Sequence, residues 1–340
     1  MAAQAANNYS VGIHYVHAAL KHCRHRHDKD IDNLLEQSAI PKELLDLGWA
    51  RVSVDQYARL QQNVTLALGD EIFGYTDRPL PLGSWKIMCH ACISAETLGE
   101  ALQHYCDFYN LIDCGISLAL RIEGGRVIFS PQPTRGEFFE RFAHAVFLFN
   151  THRFSSWLTE RFLPVTAFRF ACPKPHYHRE YRSTFLHSRV LFDQSEYNFE
   201  FAAKYLASPI RQDIASLRRF IRDPIRSMLT LNYNSELWSA KVRKIIEADL
   251  QHPPNFMALA EQLGIHQQTL RRRLIEEGTN YREIKNDIRF DTAIYYLDKP
   301  NLSIQQISDR VGFSEASAFV RAFKLWTGQS PDQYRKQSIK

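Results

Sequence analysis

The chain has 340 residues, 45% of them hydrophobic, with 42 Lys and Arg against 37 Asp and Glu for a formal net charge of +5. Such a length and apolar content suffice for two folded domains and exclude global disorder, while so small a positive excess permits a nucleic-acid partner without requiring one. No stretch nears the roughly 18 apolar residues of a membrane helix, and MAAQAANNYS lacks the basic segment and apolar core of a secretory signal, so the expectation is a cytoplasmic protein with no membrane partner.

Up to about Gly83, apolar residues recur at three and four in VGIHYVHAALKHC, DIDNLLEQSA and VDQYARLQQNVTLALG, which predicts a helical layer. The run WKIMCHACI from Trp85 fits a strand or a buried helix, and AETLGEALQHYCDFYNL, Ala95 to Leu111, has helical spacing. ISLALRIEGGRVIFSPQ alternates at period two on both sides of Glu123-Gly124-Gly125, the pattern of a β-hairpin. A long helix is expected from Glu137 to Arg161, followed by VTAFRFACP and RVLFD as strands. Residues 1–205 therefore read as an α+β domain of helices plus an antiparallel sheet. KYLASPIRQDIASLRRFIRDPIRSMLTLNYNSE, broken at Pro209 and Pro224, reads as a basic helical connector over 206–235. From 236 to 337 every segment has helical period, the mark of an all-α domain. From Glu236 to the end there are 16 Lys and Arg against 13 Asp and Glu, net +3, so any DNA contact must come from placed side chains rather than bulk charge.

A repeat organises this last part. LAEQLGIHQQTLRRRLIEEG from Leu259 aligns with ISDRVGFSEASAFVRAFKLWTG from Ile307, pairing Leu259 with Ile307, Gly264 with Gly312, Ile265 with Phe313, Leu270 with Phe319, Arg272 with Arg321, Leu274 with Phe323 and Gly278 with Gly328. Each copy is a helix of about two turns, a glycine suited to a left-handed turn, an apolar residue to plug the angle, and a second helix: a helix-turn-helix. Polar residues open the second helices, His266, Gln267, Gln268 and Thr269 in one copy and Ser314, Glu315, Ala316 and Ser317 in the other. Taken alone, Arg321 and Lys324, like Arg271, Arg272 and Arg273, fit a solvated helix face. The duplicated layout favours DNA recognition, because a generic bundle has no reason to repeat it.

SIQQISDRVGFSEASAFVRAFKLWTGQSPDQYR, Ser303 to Arg335, resembles the second helix-turn-helix and C-terminal signature of AraC/XylS-type transcription regulators. Ser308 departs from the family's usual Ala, and Ala318-Phe319 from its Ser-aromatic pair. The resemblance extends from Leu237 to Lys336 and makes IKNDIRFDTAIYYLDKPN the linker helix between two motifs. It implies recognition helices at about 266–276 and 314–326 in successive major grooves, reading bases with Gln268, Arg271, Arg272, Glu315, Ser317 and Arg321. Thr269, Arg273 and Lys324 would contact phosphate. It further implies double-stranded promoter DNA and RNA polymerase as partners, a homodimer formed through the N-terminal domain or connector, and activation in response to an unidentified small-molecule effector.

Residues 1–205 lack the ladder of short strands of a sugar-sensing cupin barrel. They are similar instead to the regulator subgroup with an arabinose-binding-like sensing domain, on the helical start, on LPLGSWKIMCHACISAETLGEALQHYCDFYNLI and on RVLFD. Trp85, Tyr105, Phe108 and Tyr109 are the effector-pocket candidates, with an ordinary aromatic core as the competing explanation. Cys89 and Cys92 form C-x-x-C without a second pair at zinc spacing, and the six cysteines are too sparse for a disulfide scaffold, so packed thiols are favoured over a metal or redox role. In HCRHRHD, His22 to Asp28, the intervening Arg24 and Arg26 disfavour a cation, and CPKPHYHREY with His176 and His178 fits a surface loop. No nucleophile elbow, phosphate loop or supported carboxylate pair appears, so no catalytic residue, metal or cofactor is assigned. Two alternatives stay open: an architectural DNA-binding protein without effector, and an enzyme domain fused to a DNA-binding module.

Overall fold

Gly124 and Gly125 both take positive φ, 55° and 77°, which a residue with a Cβ enters only with strain. That two-residue turn pairs β3 (Ile116–Glu123) with β4 (Arg126–Pro133) antiparallel over eight residues, Glu123 facing Arg126. The hairpin is the edge of a five-stranded sheet in a computed structural model that describes residues 10–27, 30–48, 50–76, 78–134, 141–175, 177–185, 188–231, 237–277, 279–297, 302–327 and 330–338. The chain divides into two units, Met1–Tyr233 and Asn234–Lys340.

In the first unit, β1 (Ser10–Gly12) pairs antiparallel with β2 (Arg51–Ser53), Val11 opposite Val52, and ties together the helical layer of α1 (Ile13–His27), α2 (Ile31–Gln37) and α3 (Val54–Leu68). α3 starts in a reciprocal capping box between Ser53 and Gln56 and ends at Gly69 with φ 63°, both readable in the sequence. WKIMCHACI resolves to a helix, α4 (Ser84–Ile93), followed by α5 (Leu98–Leu111). The helix expected from Glu137 is described as α6 (Arg141–Thr159); its first expected turn lies outside the described residues. Beyond it come β5 (Ala167–Arg169), α7 (His178–Thr184), β6 (Val190–Leu191) and β7 (Asn198–Ala202).

The sheet order is β3-β4-β7-β5-β6, antiparallel except for the last pair, β5 with β6, which runs parallel. β7 was not foreseen, although NFEFA alternates: Phe199 and Phe201 are fully buried, opposite Phe129 and Val127 of β4, while Glu200 takes Arg169 and Arg126 as partners. The basic segment from 206 sends α8 (Ile214–Phe220) and α9 (Pro224–Thr230) into this same core through Leu217, Phe220 and Met228. The basic residues occupy the other sides of these helices, so an amphipathic packing element looks like a charged connector when only its charges are read.

α6 is buried from Thr151 to Thr159, polar residues included. Ser155 and Ser156 donate to the carbonyls one turn back, Thr151 and His152, at 2.7 and 2.9 Å, and His152 Nε2 lies 2.8 Å from the Leu163 carbonyl, so these side chains are satisfied without water. Burial holds the pKa of His144 and of His152 down to about 3. Among the described residues no helix is long and apolar enough to cross a membrane.

The second unit is helical throughout its described residues: α10 (Trp238–Ala248), α11 (Phe256–Gln262), α12 (Gln267–Glu276), α13 (Tyr281–Leu297), α14 (Ile304–Arg310), α15 (Ala316–Thr327) and α16 (Pro331–Ser338). It contains two separate cores. Ile284 and Ile288 of α13 join Val242, Ile246, Leu259, Leu270 and Leu274 in one; Ala293 and Leu297 of the same helix join Ile307, Val311, Phe319 and Phe323 in the other.

The buried histidines make the first unit acid-sensitive. In the unfolded chain each titrates near 6.5, so between that pH and about 3 the unfolded state binds protons that the folded state refuses. Stability is fully present above pH ~6.5 and falls on acidification, by up to about 1.4 kcal/mol per pH unit for each histidine. The urea midpoint of the first unit's unfolding is expected to drop between pH 7 and pH 5, with a smaller drop in His152→Gln; a midpoint independent of pH would refute this account.

Candidate nucleic-acid interface

The two copies of the repeat turn with the same hydrogen bonds. Gly264 (φ 68°) and Gly312 (φ 77°) follow α11 and α14; their N–H groups donate to the carbonyls of Glu261 and Asp309 at 2.9 and 3.1 Å. The next N–H groups, of Ile265 and Phe313, reach back to Ala260 and Ser308 at 3.1 and 3.0 Å. This is the glycine-capped helix end that satisfies last-turn carbonyls while the chain reverses, with an apolar residue sealing it. Phe313 packs on Phe319 and Trp326, with centroids 5.7 and 6.1 Å apart. Helix starts are capped as well: Asn255 accepts from Ala258 N–H, Ser303 and Gln306 cap each other, and Glu277 accepts the Trp238 and Ser239 N–H groups at 2.9 and 2.8 Å, bracing α10 from the end of α12.

Each second helix has one buried and one exposed face. Leu270 and Leu274 anchor α12, Phe319 and Phe323 anchor α15, all within 1% of full burial. At 100° per residue, Gln268, Arg271, Arg272 and Ile275 share the outward face of α12, and Ser317, Val320, Arg321 and Lys324 occupy the same four places on α15. Gln268, Arg271, Arg272, Ser317, Arg321 and Lys324 are exposed. Arg271 lies 5.8 Å from the centroid of the Phe256 ring, which orients its guanidinium. Arg272 and Arg273 approach Glu276 at 3.7 and 3.8 Å, exposed pairs that cost little to break. Glu315 stands just before α15, its carboxylate accepting from the Ser317 hydroxyl at 3.1 Å. Thr269 and Arg273 sit to one side of the α12 face, Thr269 half-buried.

Sequence reasoning passed over Ile275, which is 63% exposed at the centre of that face. An isoleucine in a helix reads as core; only its offset of four from Arg271, each one residue past a leucine of the buried pair Leu270 and Leu274, marks it as outward. Gly278 and Gly328, paired in the repeat, lie outside the described residues.

The aromatic candidates of the first unit divide in two. Tyr105 and Tyr109 are buried, with ring centroids 5.0 Å apart, whereas Trp85 and Phe108 are half-buried at the margin. Trp85 packs 5.5 Å from Phe154, which also borders Tyr105 at 6.3 Å, and Phe108 meets Tyr109 edge-on at 5.5 Å. Glu71 caps α4 by accepting the Gly83 and Trp85 N–H groups, both at 2.7 Å. Trp85 Nε1 is buried without a hydrogen-bond partner, and the buried Tyr105 and Thr151 hydroxyls have each other in reach. Cys89 and Cys92 are buried beside them; burial pushes both thiols up, the reverse of what activates a cysteine. His22 is buried and His178 faces the Pro175 carbonyl at 3.0 Å, while His176 and the side chains of His25 and His27 lie outside the described residues.

Residues 29–210 match the arabinose-binding domain of AraC transcription regulator, N-term, and residues 259–337 match the helix-turn-helix domain. The ornithine utilization regulator of Pseudomonas aeruginosa is 24% identical over 307 residues, covering 89% of this chain and 90% of that one. The HTH-type transcriptional regulator VqsM of the same species is 39% identical over 82 residues, 24% of this chain and 25% of its own length. The crystal structure of the transcriptional regulator CdpR from Pseudomonas aeruginosa aligns over 90% of this chain and 96% of its own, with 22% identity and a TM-score of 0.30.

Ser308, the departure from the family's alanine, is fully buried with its hydroxyl unpartnered. A buried hydroxyl without a partner costs on the order of 1–3 kcal/mol, so Ser308→Ala is expected to stabilise the second unit by about 1 kcal/mol. A denaturant midpoint that falls instead would show that the hydroxyl is satisfied.

Proposed function

This chain belongs to the AraC family of transcription regulators and is a DNA-binding regulator, and on that premise we propose that it is an effector-responsive activator placing α12 and α15 in successive major grooves. The observation that carries this is the equivalence of the two exposed faces, each presented by an identically turned helix pair. In this reading Gln268 pairs with adenine, Arg271, Arg272 and Arg321 take guanine, Glu315 accepts from cytosine, and Ser317 serves either role. Ile275 adds an apolar contact for a thymine methyl, which charge-based reasoning does not supply. Thr269 and Arg273, to the side of the α12 face, and Lys324, on the α15 face itself, hold phosphates and set the register.

The first unit is the sensing and dimerisation part. Buried among aromatic rings, Trp85 Nε1, which has no hydrogen-bond partner, and the Tyr105 hydroxyl, which turns to the Thr151 hydroxyl, are the polar anchors for a small apolar effector, with Phe108 and Tyr109 completing the lining. α8 and α9 share that unit's core, and buried Arg153 of α6 donates to the Leu231 carbonyl at 3.0 Å, so a change beside α6 reaches the final described residue before the second unit. The chain works in the cytoplasm as a homodimer with RNA polymerase as partner; it is not an enzyme and needs no cofactor.

DNA selected by the full chain from a random pool, titrated across a salt series, tests the reading. Arg321→Ala is expected to lose its preference at one base pair, at a cost of about 1–3 kcal/mol, and Arg273→Ala to weaken all sequences alike and flatten the salt slope by about 1. Equal binding of every sequence by parent and variants, with one common slope, would leave only an architectural role. For the effector, ligands that shift Trp85 fluorescence should lose that effect in Tyr105→Phe; a ligand response indifferent to Tyr105 would move the pocket elsewhere.

A further inference from the structure

The two copies of the repeat differ at their glycines. A Cβ built on Gly264 meets nothing within 4 Å, whereas one on Gly312 would lie 2.2 Å from the Leu250 carbonyl oxygen. Leu250 follows α10 and packs on the first core; Gly312 is the turn of the second motif. The turn of the second helix-turn-helix therefore rests on the backbone between α10 and α11, beside the first core, closer than any residue other than glycine allows.

Arg289 closes the same contact from α13. It lies between Ile288, in the first core, and Phe290, packed on the second. Its Nη2 donates to the Gly312 carbonyl, and its guanidinium carbon sits 4.4 Å from the centre of the Phe313 ring. Its Nε is buried without a partner, and among the described residues no carboxylate forms an ion pair with it. Burial pushes its pKa down, and a half-buried guanidinium without an acid is costly. A leucine or methionine would fill that space at lower cost, but neither can donate to a carbonyl while lying as a cation over an aromatic ring.

We propose that Arg289, Gly312, Phe313 and the Leu250 carbonyl form a latch that locks the two helix-turn-helix motifs at one separation and rotation, so that the chain reads its half-sites at a single spacing. Three points define the lock: α13 shares both cores, Arg289 pins the second turn to α13, and Leu250 stops that turn from rolling about the helix. Arg289 is a positioning residue, acting through the turn of the second motif and touching no base. The inference rests on the two-groove reading for its consequence on DNA, but its mechanical part is independent of DNA.

Nitroxides at Glu261→Cys and Gln305→Cys, exposed positions on α11 and α14, measure the lock by pulsed electron resonance on the full chain; the six native cysteines are buried. The parent should show one narrow distance. Arg289→Met should at least double its width, Arg289→Lys, which keeps a donor and a cation over the ring, should restore most of it, and Gly312→Ala should broaden it where Gly264→Ala does not. An Arg289→Met distribution as narrow as the parent's overturns the latch. If Arg289→Met does not fold, Phe313→Leu, which removes only the ring, takes its place with the same two outcomes. On DNA selected by the parent, inserting one base pair between half-sites rotates them by about a tenth of a turn. The parent is expected to lose about tenfold or more in affinity and Arg289→Met less than about threefold; equal penalties overturn the proposal. A parent that selects no DNA would sink the two-groove reading, while the distance measurement still decides the latch.

Discussion

Helices of seven to twelve residues do not hold together alone in water, so each recognition helix here exists through the side chains it buries. Leu270 and Leu274 secure α12; Phe319 and Phe323 secure α15. What remains exposed is the face those anchors leave outside. The constraint explains why basic residues and an isoleucine can share that face: burial dictates which residues point inward, and the outward positions are free of it. It also explains the two small cores, since neither motif has enough apolar surface to join a larger one, and α13 is the element that serves both.

The first unit solves a different problem. α6 runs through its interior carrying His152, Arg153, Ser155, Ser156 and Thr159, all buried. Most of these groups turn to nearby carbonyls, which lets a polar helix lie inside an apolar core without solvent. The Thr151 hydroxyl turns instead to the Tyr105 hydroxyl, and the indole N–H of Trp85 stays unmatched, Trp85 and Tyr105 both packing on Phe154. Unmatched polar atoms in an apolar setting are costly in a purely structural core, and they are what a ligand site requires. α6 also carries the depressed histidines, so the first unit combines its interior polarity with sensitivity to acid.

Local chemistry made much of this legible. The Gly124-Gly125 hairpin and the glycine turns at 264 and 312 depend on a few neighbouring residues whose backbone preferences are strong, and each stands where it was expected. The failures were of another kind. NFEFA was too short to announce a strand; Phe199 and Phe201 acquire their meaning only opposite Val127 and Phe129 of β4. WKIMCHACI, with Lys86 and His90 its only strongly polar residues, is open between strand and helix by sequence, and it forms a helix that packs against α5. The segment from 206 displayed its arginines and concealed that Leu217, Phe220 and Met228 complete the first unit's core, Phe220 stacking on Trp157 sixty-three residues earlier.

By itself, then, the sequence determined the class of protein and the positions of the two reading helices, because a duplicated pattern of glycine, apolar plug and amphipathic helix is local and survives without knowledge of the fold. It also named most of the outward side chains, since helical period alone assigns a face. Only the tertiary structure decided that Ile275 belongs to that face, that Ser308 carries an unmet hydroxyl, and that the two glycines of one repeat are not equivalent. Those facts depend on what lies across from a residue, and Leu250 and Gly312 meet across sixty-two positions of chain that no local period connects.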